Sequence, residues 1–124
     1  MKYLGVDFGL KKIGLAISEG SFATPFEVLH IKNKKDALQK ILQVVEKEEI
    51  NEIIMGLPDS GIRFKILKFA NKLRLIASVK IVEETLTSHN AKRQMIETGL
   101  GKKKRTEEDA YSAALILQDY LDNL

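Results

Sequence analysis

The chain has 124 residues, of which 44% are aliphatic or aromatic and 30% charged, with no cysteine and a net charge of +3. That length predicts one folded domain over residues 1–124, with a core that needs no covalent staples. The missing cysteine excludes a disulfide framework, thiolate zinc sites and a cysteine nucleophile, and it fits a reducing compartment. No apolar run approaches the roughly 20 residues of a membrane span. The N-terminal Met1-Lys2-Tyr3-Leu4-Gly5-Val6-Asp7 meets an acid too early for a secretion signal.

Tyr3 to Phe8 is a short apolar run that reads as a strand buried on both faces. Leu10-Lys11-Lys12 is a turn, and Ile13 to Ser18 is the returning strand. So short a connection implies antiparallel pairing. Phe26 to Ile31 is a third strand, after a loop containing Pro25. Asp36, with Gln39 three residues on, opens a helix in the manner of a capping box. Leu38, Ile41, Leu42 and Val45 give it one apolar face.

Ile53 to Leu57 is a fourth strand, stopped by Pro58. Ile66, Phe69, Ala70 and Leu73 mark a second amphipathic helix, and Val79 to Val82 a fifth strand. Thr87 or Ser88 caps a further helix that Gly99 and Gly101 end. After a basic loop, Thr106 caps a last helix with Ala110, Ala113, Ala114, Leu117 and Leu121 on one face. The order βββαβαβαα predicts an α/β fold, a mixed sheet with helices packed on its faces.

The charge is uneven along the chain. Lys92, Arg93, Lys102, Lys103, Lys104 and Arg105 face only Glu97 within residues 92–105, which carry +5 while the rest sums to −2. A basic stretch beside a near-neutral body suits a polyanion contact, and equally a solvated loop.

Three places could carry chemistry. In Gly5-x-Asp7-x-Gly9-x4-Gly14 a carboxylate ends an apolar strand among glycines. Burying it costs several kcal/mol unless it is paired or metal-bound. The glycines permit close approach of a phosphate, or simply shape a hairpin turn. Glu83 and Glu84 end the fifth strand and, being adjacent, point to opposite faces. Asp109 stands in the first turn of the last helix, where an acid also suits the helix terminus. If the first, fourth and fifth strands are parallel neighbours, Asp7 and Glu84 open on one sheet edge. A carboxylate-only cluster there fits Mg²⁺ or Mn²⁺.

These residues resemble the YqgF family of Holliday-junction-resolvase-like proteins, the pre-16S rRNA nuclease family, over essentially the whole chain. The resemblance rests on Gly5-Val6-Asp7-Phe8-Gly9 through Gly14-Leu15-Ala16-Ile17-Ser18, on Ile54-Met55-Gly56-Leu57-Pro58, and on Phe69-Ala70. It continues through Glu83-Glu84-Thr85-Leu86-Thr87-Ser88 with Ala91, then Asp109-x3-Ala113 and Ile116-Leu117-Gln118 with Tyr120-Leu121. It implies an RNase H-like fold with sheet order 3-2-1-4-5 and helices on both faces. It implies a cytoplasmic, Mg²⁺- or Mn²⁺-dependent nuclease that hydrolyses phosphodiesters, with Asp7, Glu84 and Asp109 as catalytic and metal-holding acids.

The expected substrate is precursor 16S rRNA at its 5′ end, or branched DNA, for a monomer or homodimer that does not engage a membrane. Lys12, Arg93, Lys102, Lys103, Lys104 and Arg105 are the expected phosphate contacts. Three departures from the family pattern stand out. Thr85 replaces a usual arginine, Lys12 replaces another, and the loop Asp59-Ser60-Gly61 is short. These motivate an alternative, a non-catalytic nucleic-acid-binding module with a degenerate site. A sugar-kinase-like ATPase is disfavoured, since 124 residues leave no room for a second such domain.

Overall fold

The computed structural model describes residues 1–84 and 108–124. The helix expected between Thr87 or Ser88 and Gly99 or Gly101, the basic run 102–105 with Arg93, and the Thr106 cap lie outside the described residues. Strands β1 (Tyr3–Phe8), β2 (Lys12–Ser18) and β3 (Thr24–His30) come first. Helix α1 (Lys34–Lys47), β4 (Glu52–Leu57), α2 (Arg63–Leu73) and β5 (Val79–Glu83) follow, and α3 (Glu108–Asp122) closes the chain.

The five strands form one sheet in the order β3-β2-β1-β4-β5. β1 pairs antiparallel with β2 and parallel with β4, and β5 continues the parallel half. The order and the mixed directions are those expected. Two-residue alternation gives each strand two faces. Leu4, Val6 and Phe8 of β1 join Ile53, Met55 and Leu57 of β4 on one face, under Ile41 of α1 and Ile66, Phe69 and Leu73 of α2. Phe8 and Phe69 meet there with ring centroids 4.6 Å apart. Each such side chain, fully buried, contributes about 1.5–3 kcal/mol. On the other face Tyr3, Ala16 and Ile54 meet Ala113, Ile116 and Leu117 of α3.

α3 packs closely because glycines leave the sheet bare beneath it. A Cβ on Gly5 would lie 2.8 Å from the Ala113 carbonyl oxygen and from Leu117 Cβ, and one on Gly56 would lie 2.5 Å from Ile116 Cδ1. At the far end of this face Tyr120 anchors the helix. Its hydroxyl donates to the buried Glu52 carboxylate at 3.2 Å, which also accepts from Ser78 Oγ at 3.0 Å. The Tyr120 ring packs edge-on against Tyr3, at 5.8 Å between centroids.

Two expected starts shift by two residues, and several other strand ends by one. α1 is not opened by Asp36 with Gln39. Asn33 is the N-cap, its side chain accepting from the Asp36 N–H at 2.8 Å, while Asp36 accepts from the Lys32 N–H at 2.9 Å. The helix therefore begins at Lys34, and the acid sits in its first turn, where the dipole favours it. β3 starts at Thr24 and includes Pro25, paired with Ala16 across a register shift between Leu15 and Ala16. An edge strand with a bulge tolerates proline because no ladder donor is lost.

Candidate nucleic-acid-cleaving site

The parallel strands β1, β4 and β5 end together, so their C-terminal residues share one sheet edge. Asp7 stands there, directly across from Gly14 on β2. Asp7 belongs to the α3-facing set of β1, with Tyr3 and Gly5. Gly14 is where α3 arrives: a side chain at this position would overlap the backbone carbonyl of Asp109. A glycine is therefore required for the first turn of α3 to reach the sheet. The consequence is chemical as well as steric. Asp7 lies beside Gly14 in the sheet, and Asp109 lies over it, so two of the three expected acids come to one place.

Gly9 and Gly14 thus divide the work that the glycine-rich motif suggested. Gly9 belongs to the hairpin turn, where an added Cβ would lie 2.6 Å from the Lys12 carbonyl oxygen. Gly14 admits a helix backbone rather than a ligand.

The two adjacent glutamates separate by face. Leu57 pairs with Glu83, on the side of Ile81 and α2. The Glu83 carboxylate takes both terminal nitrogens of Arg63 at the start of α2, Nη1 donating to Oε2 at 2.8 Å. This hydrogen-bonded guanidinium holds the Glu83 carboxyl below its ordinary value, and the carboxylate raises Arg63 in turn. Glu84 follows the strand end, and its N–H donates to the Leu57 carbonyl at 3.0 Å. Alternation assigns it to the face of Lys80 and Val82, the face that carries α3 and Asp7.

Lys12, at the start of β2, lies 3.4 Å from the Asp109 carboxylate, both groups partly exposed. Ser112 steadies the same turn by donating to the Glu108 carbonyl at 2.9 Å. His30 is exposed at the end of β3, with its carbonyl accepting from Lys40. His89, Arg93, Lys102, Lys103, Lys104 and Arg105 lie outside the described residues.

The donors available for an ion are carboxylate oxygens, the set that hard divalent cations prefer. Among the described residues no three carboxylates or imidazoles converge closely enough to enclose an ion. Asp7 and Asp109 are neighbours across Gly14, and Lys12 lies against the Asp109 carboxylate. Among the described residues no helix is long and apolar enough to cross a membrane.

Comparison with known proteins bears on the family and the fold. The family model described as "RuvX: Holliday junction resolvase" matches residues 1–123. A protein of Endomicrobium trichonymphae named "Putative pre-16S rRNA nuclease" is 36% identical, with 98% of this chain and 95% of that protein covered. A protein of the same name from Koribacter versatilis is 38% identical, covering 98% and 86% respectively. Among solved structures, Thermus thermophilus RuvC in complex with a Holliday junction substrate superposes with a TM-score of 0.61 at 17% identity, covering 99% of this chain and 94% of that one. The fowlpox virus Holliday junction resolvase superposes with a TM-score of 0.60 at 14% identity, covering both chains fully. At those identities the structures speak for the fold, which is RNase H-like. The full-length sequence match goes further: the chain belongs to the RuvX (YqgF) family of Holliday junction resolvase-like nucleases.

Proposed function

We propose that this chain is a metal-dependent endonuclease that hydrolyses phosphodiester bonds at the sheet edge formed by β1, β4 and β5. Membership of a nuclease family supports hydrolysis of nucleic-acid ester bonds. The observation that carries the assignment of the site is the placement of Asp109 over Gly14, the cross-strand neighbour of Asp7. Asp7, Glu84 and Asp109 are the residues that would hold Mg²⁺ or Mn²⁺. When bound, such ions activate water and stabilise the leaving oxygen of a phosphodiester.

The chain's own groups do the rest. β1 and β4 present a rigid edge, and α3, seated on the glycines of the sheet, fixes the direction of approach of Asp109. Lys12 brings a positive charge beside the acids, which offsets part of their repulsion toward an incoming phosphate. Lys102, Lys103, Lys104 and Arg105, with Arg93, supply further cations in sequence just before α3. Such contacts position a strand and carry no base information.

The substrate that best suits the curated relatives is the 5′ end of precursor 16S rRNA, processed in the cytoplasm by one domain spanning residues 1–124. Incubation of the purified chain with precursor 16S rRNA and with a four-way DNA junction, each with Mg²⁺, Mn²⁺ or chelator, tests this. Metal-dependent trimming of the rRNA with the junction left whole is the expected result. Cleavage of the junction alone would reassign the substrate, and cleavage of neither would overturn the nuclease reading.

A further inference from the structure

Residues 63–80 contain Arg63, Lys65, Lys68, Lys72, Arg74 and Lys80 and not one acid, a charge of +6 against the +5 of residues 92–105. Three of these six cations have local partners. Arg63 pairs with Glu83, Arg74 donates to the Val79 carbonyl and to Asn71, and Lys80 lies against Glu52 and Tyr120. Lys65, Lys68 and Lys72 are exposed, and among the described residues none of them meets a carboxylate.

Helical spacing puts these three lysines in one stripe, spanning roughly 10 Å along the axis. Phe64 stands beside Lys68, one turn earlier, and is 73% exposed. The buried residues of α2, Ile66, Phe69, Ala70 and Leu73, face the sheet. Helix stability does not account for this pattern. α2 has no acid in its first turn and no side-chain cap, and Arg63 and Lys65 stand where the helix dipole disfavours positive charge. Hydrophobic burial does not account for Phe64 either.

The position of the stripe is informative. Only a short loop separates the end of β4 from α2, so the first turn of α2 stands at the sheet edge where Asp7 and Glu84 lie, and the Arg63–Glu83 pair ties the two together. An unpartnered row of lysines complements a polyanion, and an exposed ring among them offers a stacking face to an unpaired base. We infer that the outer face of α2 binds the single-stranded flank of the nucleic acid cleaved at this edge. A base stacks on Phe64 and successive phosphates follow Lys65, Lys68 and Lys72. The inference rests on the nuclease reading for its ligand, and it adds a second binding surface, on the face of the sheet opposite α3. Single-stranded rather than duplex nucleic acid follows from Phe64, because duplex bases are already stacked on one another.

The test is equilibrium binding of a short labelled single-stranded oligoribonucleotide, followed by anisotropy across a salt series, in an Asp7→Asn chain. The substituted positions are exposed, and a thermal melt checks that each variant is folded. Replacing Lys65, Lys68 and Lys72 with alanine should weaken binding and reduce the log–log salt slope by about 2, since each strand phosphate contact contributes about 0.7. Phe64→Ala should weaken binding about fivefold to hundredfold, with little change of slope. The same probe annealed into a duplex should be indifferent to Phe64→Ala.

Alanine at Lys34, Lys35 and Lys47 of α1 removes the same charge from a different surface and should leave the slope near that of the parent. Equal effects from the two triple variants, or an unchanged affinity in Phe64→Ala, would overturn the inference. Cleavage by the unsubstituted chain is scored separately. A chain that cleaves yet ignores the α2 substitutions overturns this inference alone, whereas one that binds through α2 and never cleaves overturns the nuclease reading alone.

Discussion

Gly14 lies directly beneath the backbone carbonyl of Asp109, with no room between them for a methyl group. This contact sets how far α3 descends onto the sheet, and so where the Asp109 carboxylate sits relative to Asp7. Gly14→Ala forces the start of α3 outward, because the obstruction is backbone and cannot rotate away. The expected cost is about 1–3 kcal/mol, the scale of overpacking, with a larger fractional loss of cleavage than of stability. A urea melt beside an activity assay checks it. Full activity in a stable Gly14→Ala variant would show that the α3 contact does not position the acid.

Gly56 meets α3 differently. An added Cβ there would lie 2.5 Å from Cδ1, the far end of the Ile116 side chain, and Ile116→Val removes that carbon. Gly56→Ala should therefore cost less than Gly14→Ala. Combined with Ile116→Val it should show favourable coupling of about 0.5–1 kcal/mol in a double-mutant cycle. Additive effects would place the strain elsewhere.

The neighbouring glutamates offer an internal comparison. Glu83 is committed to Arg63 on the α2 side, and Glu84 shares a face with Asp7. Glu83→Gln should leave cleavage nearly unchanged, whereas Glu84→Gln should lower it about 10²-fold or more, as loss of a charge-stabilising group does. The reverse ranking in a single-turnover assay would exchange their roles.

At the start of α1 the Lys32 N–H, aided by Lys40 at 3.3 Å, holds the Asp36 carboxyl below its ordinary value of 3.8. A folded-state value lower than the unfolded one means the ionised form favours folding. That contribution is fully present above the unfolded value and is lost as pH falls through the folded one. Asp36→Asn should accordingly lower stability at neutral pH, and the gap between the two chains should close as pH falls below about 4. Thermal melts across the acid range read this directly, and parallel curves for the two chains would contradict it.

Much of the architecture is legible in the residues, because strands such as Tyr3–Phe8 and Glu52–Leu57 are largely apolar runs and Leu57-Pro58 is a clear stop. The start of α1 is less legible, since Asn33 and Asp36 are both good terminal residues and the N-cap competes with the first turn. β3 begins early because an edge strand forgives Pro25. In the candidate site, Asp7 and Glu84 stand out as acids at strand ends. The role of Gly14 does not, because its partner Asp109 is 95 residues away in sequence and only the packed fold brings them into contact. The α2 lysines are hidden in any coarse sum of charge, because acids before and after them balance it.

The proposed function makes Asp7 central to cleavage at this edge, and Asp7→Asn tests that role most directly. Cleavage of precursor 16S rRNA with Mn²⁺ is measured for the parent and the variant, alongside their thermal melts. Loss of cleavage with an unchanged melt is the predicted result. Undiminished cleavage by the folded variant would contradict the assignment of this sheet edge as the active site.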